Sequence, residues 1–314
     1  MWDTFLPIGK EGPFLTALPG FLVIGAARAG TTALHSYLNQ HPEIFMPALK
    51  EPNFFAYEGQ NLDCKGPGAD YINNSITDLS DYQALYASAP ETSVRGDASP
   101  LYLFEPHAPK NIYKHIPDAR FVVVLRNPID QAFSHYLYAV KQAIEVETDF
   151  TKALALEDER LAAGWQPLFG YSSFPLYAEQ LSRYFEKFPR EQFLIRTYED
   201  FRTDPNVLLT DIYQHIGVAA DFHADMSAKP NAGGIPKNQA FQEFLMKPNA
   251  ITRAIGLVVP GKTRHRIRDR LSARNLTKAP EMPAEARAIL HERLDPEIRR
   301  LETLLDRDFS HWRA

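Results

Sequence analysis

Short apolar runs bounded by turn residues recur along the chain, and four of them predict buried β-strands. The predicted strands cover residues 21–25, 93–98, 120–126 and 192–198. Between and after these runs, apolar positions recur at helical spacing. The predicted helices cover residues 32–39, 128–138, 150–163, 174–188, 205–216 and 284–306. This alternation predicts an α/β fold with a mostly parallel central sheet flanked by helices in three layers, and with ligands bound at the carboxyl ends of the strands.

The composition is that of an ordinary globular protein, with 45% hydrophobic and 23% charged residues in a chain of 314. We expect a single domain over residues 1–314, with residues 1–19 as an N-terminal extension. The Pro- and Gly-containing stretches at 47–70 and 228–262 predict long loops. Loops of that length in a compact domain are often functional.

Charge and cysteine content limit the partners and the compartment. The net charge of -5 argues against a general nucleic-acid binder. The segment KTRHRIRDRLSAR, residues 262–274, is nevertheless strongly basic, and both a local anion site and a solvated helix face explain it. A single cysteine, Cys64, predicts a reducing, cytoplasmic location. We expect neither a signal peptide, since the N-terminus has no basic leader, nor a transmembrane helix, since no apolar run reaches about 18 residues.

The stretch FLVIGAARAGTTALHSYL, residues 21–38, passes from a strand through a glycine turn into a helix. The unpaired N–H groups and the helix dipole at such a start favour an anion at Gly30, Thr31 and Thr32. The two glycines and two threonines reproduce the frame of a nucleotide-binding P-loop, but Thr31 replaces its lysine. The strand that ends at Arg126 also lacks the metal-binding acid. The loop therefore suits a compact anionic group without an obligatory metal, although a purely structural turn explains the frame as well.

The motif LKEPNFFA, residues 49–56, contains a candidate general base. Pro52 favours an extended backbone at Glu51. We expect Phe54 and Phe55 to lower the dielectric around this carboxylate, and a desolvated carboxylate is a better proton acceptor. An ordinary surface glutamate is the alternative.

The motif LRNPIDQAFSHYLY, residues 125–138, predicts a second phosphate site beside the first. Asn127 and Pro128 are typical of a helix start. Ser134 lies seven residues, or two helical turns, beyond Asn127 and therefore faces the same side of the helix. An arginine fork from Arg126 with a serine hydroxyl suits a phosphate. Two such sites predict a nucleotide with phosphates at both ends of its ribose. A capped helix with an ordinary serine is again the alternative.

With GDASPLYLF at 96–104 and TYEDFRTDP at 197–205, these motifs resemble, in order and spacing, the sulfotransferase superfamily that uses 3′-phosphoadenosine 5′-phosphosulfate (PAPS). The resemblance is to its carbohydrate, heparan-sulfate-type branch and the bacterial relatives of that branch. It implies a P-loop-like, sulfotransferase-type architecture. It also implies an enzyme of the EC 2.8.2 type, which moves a sulfuryl group in line from PAPS to a hydroxyl or amine, leaves 3′-phosphoadenosine 5′-phosphate (PAP), and needs no metal. The acceptor would be a carbohydrate or a small-molecule alcohol.

The resemblance also implies roles for individual residues. Glu51 would remove the acceptor proton and Arg28 would stabilise the departing phosphate. Residues implied to bind the nucleotide are Arg28, Ala29, Gly30, Thr31, Thr32, Arg126 and Ser134. Residues implied to contact the acceptor are Lys50, Asn53, Phe54, Asp97 and Ser99. Residues 228–280, with Lys262, Arg264 and Arg266 as candidates, would lie near the nucleotide or acceptor site.

Two departures from the family pattern change these expectations. The family has a lysine at the position of Arg28, and an arginine supplies charge but scarcely gives up a proton. Heparan-modifying relatives have a substrate-contacting lysine where this chain has Ala98, which disfavours a polyanionic heparan acceptor.

Other interpretations stay open. A metal-dependent nucleotide kinase or NTPase shares the glycine frame, and a non-catalytic nucleotide- or carbohydrate-binding relative would keep the fold without activity. The segment 254–270 could contact an anionic membrane surface, although core packing beside a solvated helix is favoured. Residues 198–200 are typical of a helix cap. The sequence leaves the acceptor and the oligomeric state undetermined.

Overall fold

A computed structural model describes residues 18–227, 234–247 and 261–313, and its centre is a parallel β-sheet. The strands of this sheet are β1 (Phe21–Gly25), β2 (Ile44–Phe45), β3 (Val94–Ala98), β4 (Arg120–Leu125) and β5 (Phe193–Thr197). Their order is β2-β3-β1-β4-β5, and every neighbouring pair is parallel. The four predicted strands are confirmed to within a residue or two at each end. The two-residue edge strand β2 was not predicted, because so short a run has no readable period.

Helices flank this sheet and connect its strands. They are α1 (Thr31–Leu38), α2 (Phe54–Tyr57), α3 (Asp70–Asn73), α4 (Leu79–Ala84), α5 (Leu101–Phe104), α6 (Ala108–His115), α7 (Pro128–Lys141), α8 (Phe150–Ala155), α9 (Glu157–Ala162), α10 (Tyr177–Phe185), α11 (Tyr198–Thr203), α12 (Pro205–Ile216), α13 (Gln239–Met246), α14 (Gly261–Arg274) and α15 (Ala284–Leu305). The predicted α/β class with a central parallel sheet is confirmed.

Local sequence explains where the best-predicted helices begin. At the start of α7, the side chain of Asn127 accepts a hydrogen bond of 3.0 Å from the N–H of Ile129, and Pro128 occupies the first helical position. The helix predicted over 150–163 is instead two helices, α8 and α9. They separate at Leu156, whose N–H bonds to the carbonyl oxygens of both Lys152 and Ala153 at 3.1 and 3.3 Å.

The long stretches differ in part from the predicted loops. Residues 47–70 contain the short helix α2. The described part of 228–262 contains α13 and the strand β6 (Ile235–Pro236), which pairs antiparallel with β7 (Leu276–Thr277). The rest of that stretch, and residues 1–17 of the predicted N-terminal extension, lie outside the described residues.

The core covers the sheet and fixes its carboxyl edge. All five residues of β1 are buried, and β4 is buried from Phe121 onward. Burying an aliphatic or aromatic side chain of this size contributes roughly 1.5–3 kcal/mol. A second apolar cluster lies where α7, α8 and α15 meet. The loops that leave β1, β3, β4 and β5 therefore start from fixed positions.

Candidate functional site

The loop after β1 leads into the start of α1. Gly30 precedes this helix with φ of 89°, in the left-handed region that favours glycine. A Cβ at this position would approach a ring carbon of Phe201 to 2.5 Å, so the fold requires a glycine here. Within the described residues, no side chain caps α1 and its first turn contains no acidic residue. The N–H groups at the start of α1 are therefore available to an anion.

Arg28 points from this loop towards α7. Its Nε donates to Ser134 Oγ over 3.4 Å, and its guanidinium lies 4.5 Å from the ring centroid of Tyr138. The φ of 66° is uncommon for a residue with a side chain, and such strain clusters at functional sites. Burial lowers the pKa of Arg28, while the negative charge of Glu51 acts in the opposite direction. An arginine keeps its charge under such a shift.

Arg126 holds the same loop from the end of β4. Its Nη1 donates to the carbonyl oxygen of Arg28 over 2.9 Å, and its guanidinium lies 4.9 Å from the ring centroid of Tyr198. In the described part of the chain, neither guanidinium forms an ion pair with a carboxylate. Two guanidinium groups without an ion-pair partner beside the same loop favour an anionic ligand.

These side chains line a cavity of about 490 Å³, which we call the cationic cavity. Its wall includes Arg28, Gly30, Thr31, Thr32, Arg126, Ser134, Tyr138, Lys141 and Tyr198, together with Asp130. Burial and the charge of Arg28 lower the pKa of Lys141. The structure thus brings six of the seven predicted nucleotide-binding residues to one cavity. The seventh, Ala29, belongs to the same loop but is fully buried and does not line the cavity.

Glu51 lies on the segment between β2 and α2. It forms an ion pair with Lys50 and accepts a hydrogen bond from the hydroxyl of Tyr71. Its side chain is 24% exposed. Its φ of 61° lies in the left-handed region, so the extended backbone predicted at Glu51 is wrong. Phe54 stacks on Tyr82 with centroids 4.6 Å apart, so its ring belongs to the core. The carboxylate is therefore oriented by a cation and a phenol.

Glu51 lines a second cavity of about 560 Å³, which we call the adjoining cavity. Both cavities include Arg28, Thr31, Thr32 and Tyr138 in their walls. The adjoining cavity therefore meets the cationic cavity at the loop after β1. A group held in one cavity can reach a group held in the other at this junction.

Four of the predicted acceptor-contacting residues do not line the adjoining cavity in the described structure. Asn53, Phe54, Asp97 and Ser99 are buried. Asp97 accepts hydrogen bonds from Ser99, Tyr82 and Tyr102 at 2.7–2.8 Å, and burial raises the pKa of its carboxyl group. The contact of these residues with an acceptor stays a prediction. Lys50 does line the cavity.

Sequence reasoning missed several residues at these cavities. Tyr138 and Lys141 follow Ser134 by four and seven positions on α7, and this helical spacing could have identified them. Tyr198 was interpreted as part of a helix cap. The cap is a reciprocal pair between Thr197 and Asp200, which leaves the Tyr198 ring to stack on Arg126.

The C-terminal segment reaches both cavities. Gly234 and Pro280 line the cationic cavity, and Met246 and Arg268 line the adjoining cavity. Of the predicted closing residues, Arg264 is exposed. The side chains of Lys262 and Arg266, like much of the segment 254–270, lie outside the described residues.

Two properties of the described residues concern metal binding and membranes. Within that part of the chain, histidine, cysteine and carboxylate side chains form no cluster that could bind a metal ion. Nor does any helix there combine the length and the apolar character needed to cross a bilayer.

With the fold and the site in view, comparisons with known proteins define the class. The family model of the sulfotransferase family matches residues 19–222, and the chain belongs to that family. The crystal structure of a sulfotransferase from Alicyclobacillus acidocaldarius is similar over 95% of this chain and 99% of its own, with 30% identity and a TM-score of 0.73. This neighbour confirms the predicted sulfotransferase-type architecture.

Curated relatives are more distant. The membrane-associated sulfotransferase kil1 of Dictyostelium discoideum is 22% identical over 78% of this chain and 65% of its own length. The human bifunctional heparan sulfate N-deacetylase/N-sulfotransferase 3 is 25% identical over 66% of this chain and 23% of its own length. Human carbohydrate sulfotransferase 15 is 27% identical over 65% of this chain and 44% of its own length. The chain thus spans between about a quarter and two thirds of the length of each of these relatives.

Proposed function

We propose that the protein transfers a sulfuryl group from PAPS to an acceptor hydroxyl. The observation that carries this proposal is the junction of the two cavities. One cavity presents two guanidinium groups without an ion-pair partner in the described residues and open helix N–H groups, and the other presents the oriented carboxylate of Glu51. A group transfer needs an anionic donor and a nucleophile to meet at such a junction.

The residues of the cationic cavity fit a nucleotide with two phosphate positions. The N–H groups of Gly30, Thr31 and Thr32, with Arg28, would hold the 5′-phosphosulfate at the helix start. Arg126 and Ser134 would hold the 3′-phosphate. The absence of a P-loop lysine at Thr31 distinguishes this cavity from the ATP and GTP sites of kinases.

The described side chains supply the elements of an in-line transfer. Glu51 accepts the proton of the acceptor hydroxyl, whose oxygen forms the new bond to sulfur. The bond between sulfur and the phosphate oxygen breaks, and its electron pair stays on the phosphate. Arg28 and the loop N–H groups stabilise that added charge, while Lys50 and Tyr71 hold Glu51 in place. Positioning and charge stabilisation do most of the work, as in phosphoryl transfer.

The acceptor class and the location are part of the proposal. The relative named carbohydrate sulfotransferase 15 supports a carbohydrate or another alcohol as acceptor, whereas the relative named an N-sulfotransferase supports the less favoured amine. The single cysteine supports a reducing, cytoplasmic compartment. Because kil1 is named membrane-associated, cell fractionation is the direct test of this location.

Calorimetric titration with PAP and with adenosine 5′-phosphate tests the donor. Because hydrogen bonds to a charged group contribute about 1.5–3 kcal/mol, we expect loss of the 3′-phosphate to weaken binding at least about tenfold. Conversion of PAPS to PAP that depends on an added acceptor tests the transfer. Equal affinity for both nucleotides, or magnesium-dependent ATP turnover, would contradict the proposal. PAP binding without transfer to any alcohol in a broad panel would indicate a non-catalytic relative.

A further inference from the structure

The buried part of the wall of the adjoining cavity is mostly apolar, whereas polar side chains such as Tyr138 and Gln142 line its half-buried part. Apart from Thr31 at the junction, the buried side chains that line it are Pro100, Leu101, His135 and Phe174. Ile144, Leu168 and Met246 extend this apolar wall with half-buried side chains. We propose that the acceptor is a small alcohol or phenol whose hydroxyl is attached to an apolar body, rather than a sugar. This inference rests on the proposed function and names its acceptor class.

His135 is the one polar side chain on the buried wall beyond the junction, among the described residues. It is 2% exposed, and its Nδ1 has no hydrogen-bond partner in the described structure. Burial, with a smaller effect of the nearby Arg28 charge, lowers the pKa of His135 to about 3. The imidazole is therefore neutral near pH 7, and it adds no charge to this wall.

Charged groups lie elsewhere on the cavity wall. Asp70 is exposed, and Arg268 is half-buried and contacts Asp269 at 3.4 Å. Lys50 pairs with Glu51 at the reacting end. Most polar and charged side chains of the wall are thus half-buried or exposed, and the buried part offers few partners for the hydroxyl groups of a ligand.

A sugar ring fits this wall poorly for a simple reason. It has a hydroxyl on most of its carbons, and Leu101 and Phe174 offer no partner to any of them. Each hydroxyl buried without a hydrogen bond weakens binding by roughly tenfold or more. An aryl or alkyl body instead gains affinity from the same contacts, because its apolar surface leaves water.

The test compares two acceptors on protein saturated with PAP, by isothermal titration calorimetry. The probes are 4-butylphenol and methyl β-glucopyranoside. We expect 4-butylphenol to bind at least about tenfold more tightly than the glucoside, since each methylene group in an apolar pocket increases the affinity about tenfold or more. Leu168→Asn should weaken 4-butylphenol by roughly tenfold and leave PAP affinity unchanged.

Two variants control for a general effect on folding. Leu62 is also half-buried and packs against the same core as Leu168, but it does not line the cavity. Leu62→Asn should therefore leave both affinities unchanged, and Leu168→Met should retain binding of 4-butylphenol. Equal or tighter binding of the glucoside, binding of neither probe, or unchanged phenol affinity in Leu168→Asn would each overturn the inference. Failure of PAP itself to bind would instead contradict the proposed function.

Discussion

The cationic cavity and the adjoining cavity differ in what holds their walls in place. The key groups of the cationic cavity are bonded to the backbone at the carboxyl edge of the sheet. Arg126 donates to the carbonyl oxygen of Arg28 at 2.9 Å, and Gln131 donates to that of Ala27 at 3.2 Å. The geometry of this cavity is therefore fixed by the carboxyl edge of the sheet. Proteins that share the fold are expected to have a similar cavity at the same place.

The adjoining cavity takes much of its wall from segments that connect the strands, beside His135 and Tyr138 of α7. Glu51 and Tyr71 come from the stretch between β2 and α4, Leu168 from a short 3₁₀ segment, and Arg268 from α14. Connecting segments vary while the scaffold stays fixed. From this difference we expect the fold to determine which donor binds. The connecting segments of this particular chain would determine which acceptor binds.

The largest expected effect separates chemistry from donor binding. Glu51→Gln keeps the size of the side chain and removes the proton acceptor, so turnover should fall by about 10²–10⁴. The dissociation constant for PAP should stay within about twofold, because Glu51 is absent from the cationic cavity. Glu58→Gln is the matched control, since Glu58 pairs with Lys114 and His115 away from both cavities. Wild-type turnover in Glu51→Gln would remove this carboxylate from the mechanism.

Arg126→Ala should instead weaken binding of PAP, which Glu51→Gln leaves nearly unchanged. Loss of a charged hydrogen-bonding partner should weaken PAP by roughly 10- to 150-fold. The affinity for an acceptor analogue should change much less, because Arg126 does not line the adjoining cavity. Titration of both ligands distinguishes the two effects. A variant that loses both affinities equally would show that Arg126 acts by holding the loop rather than by binding the nucleotide.

The sheet and the cationic cavity could be predicted because their signals are local in the chain. A buried parallel strand is a short apolar run, and the turn after β1 must contain Gly30 for reasons of space. The start of α7 can be identified from Asn127 and Pro128, and this fixes the side on which Ser134 lies. Each of these features depends on residues close in sequence.

The adjoining cavity could not be predicted in the same way. Tyr71 reaches Glu51 from 20 residues away, and no periodic pattern marks that contact. Phe54 was predicted beside the acceptor, yet its ring stacks on Tyr82 in the core. An apolar residue gives the same signal whether it faces a cavity or a neighbouring ring. Contacts between connecting segments depend on tertiary packing, which one sequence does not reveal.

A smaller effect is expected at Tyr138, which belongs to both cavities. Its ring lies under the Arg28 guanidinium, and such a contact contributes about 0.5–2 kcal/mol. Tyr138→Leu should therefore reduce turnover by roughly 2- to 30-fold by releasing Arg28. Tyr138→Phe keeps the ring face and should retain most activity. If Tyr138→Phe is as impaired as Tyr138→Leu, the hydroxyl rather than the ring is the important group.

The smallest expected effect is on the free energy of unfolding. It tests whether the protein can lose stability at the start of α7 and keep its affinity for PAP. Asn127 caps α7, and its amide also donates to the carbonyl oxygen of Trp312 over 3.2 Å. Asn127→Ala removes both interactions and should lower the free energy of unfolding by about 1 kcal/mol, which thermal denaturation measures. Asn127→Asp keeps the capping oxygen and loses only the donor, so its stability should lie between those of Asn127→Ala and the wild type.

PAP affinity should change little in either variant, because the backbone contacts of Arg126 and Gln131 still hold the loop. A loss of affinity as large as that of Arg126→Ala would show that the cap of α7, and not the edge of the sheet, sets the geometry of this cavity.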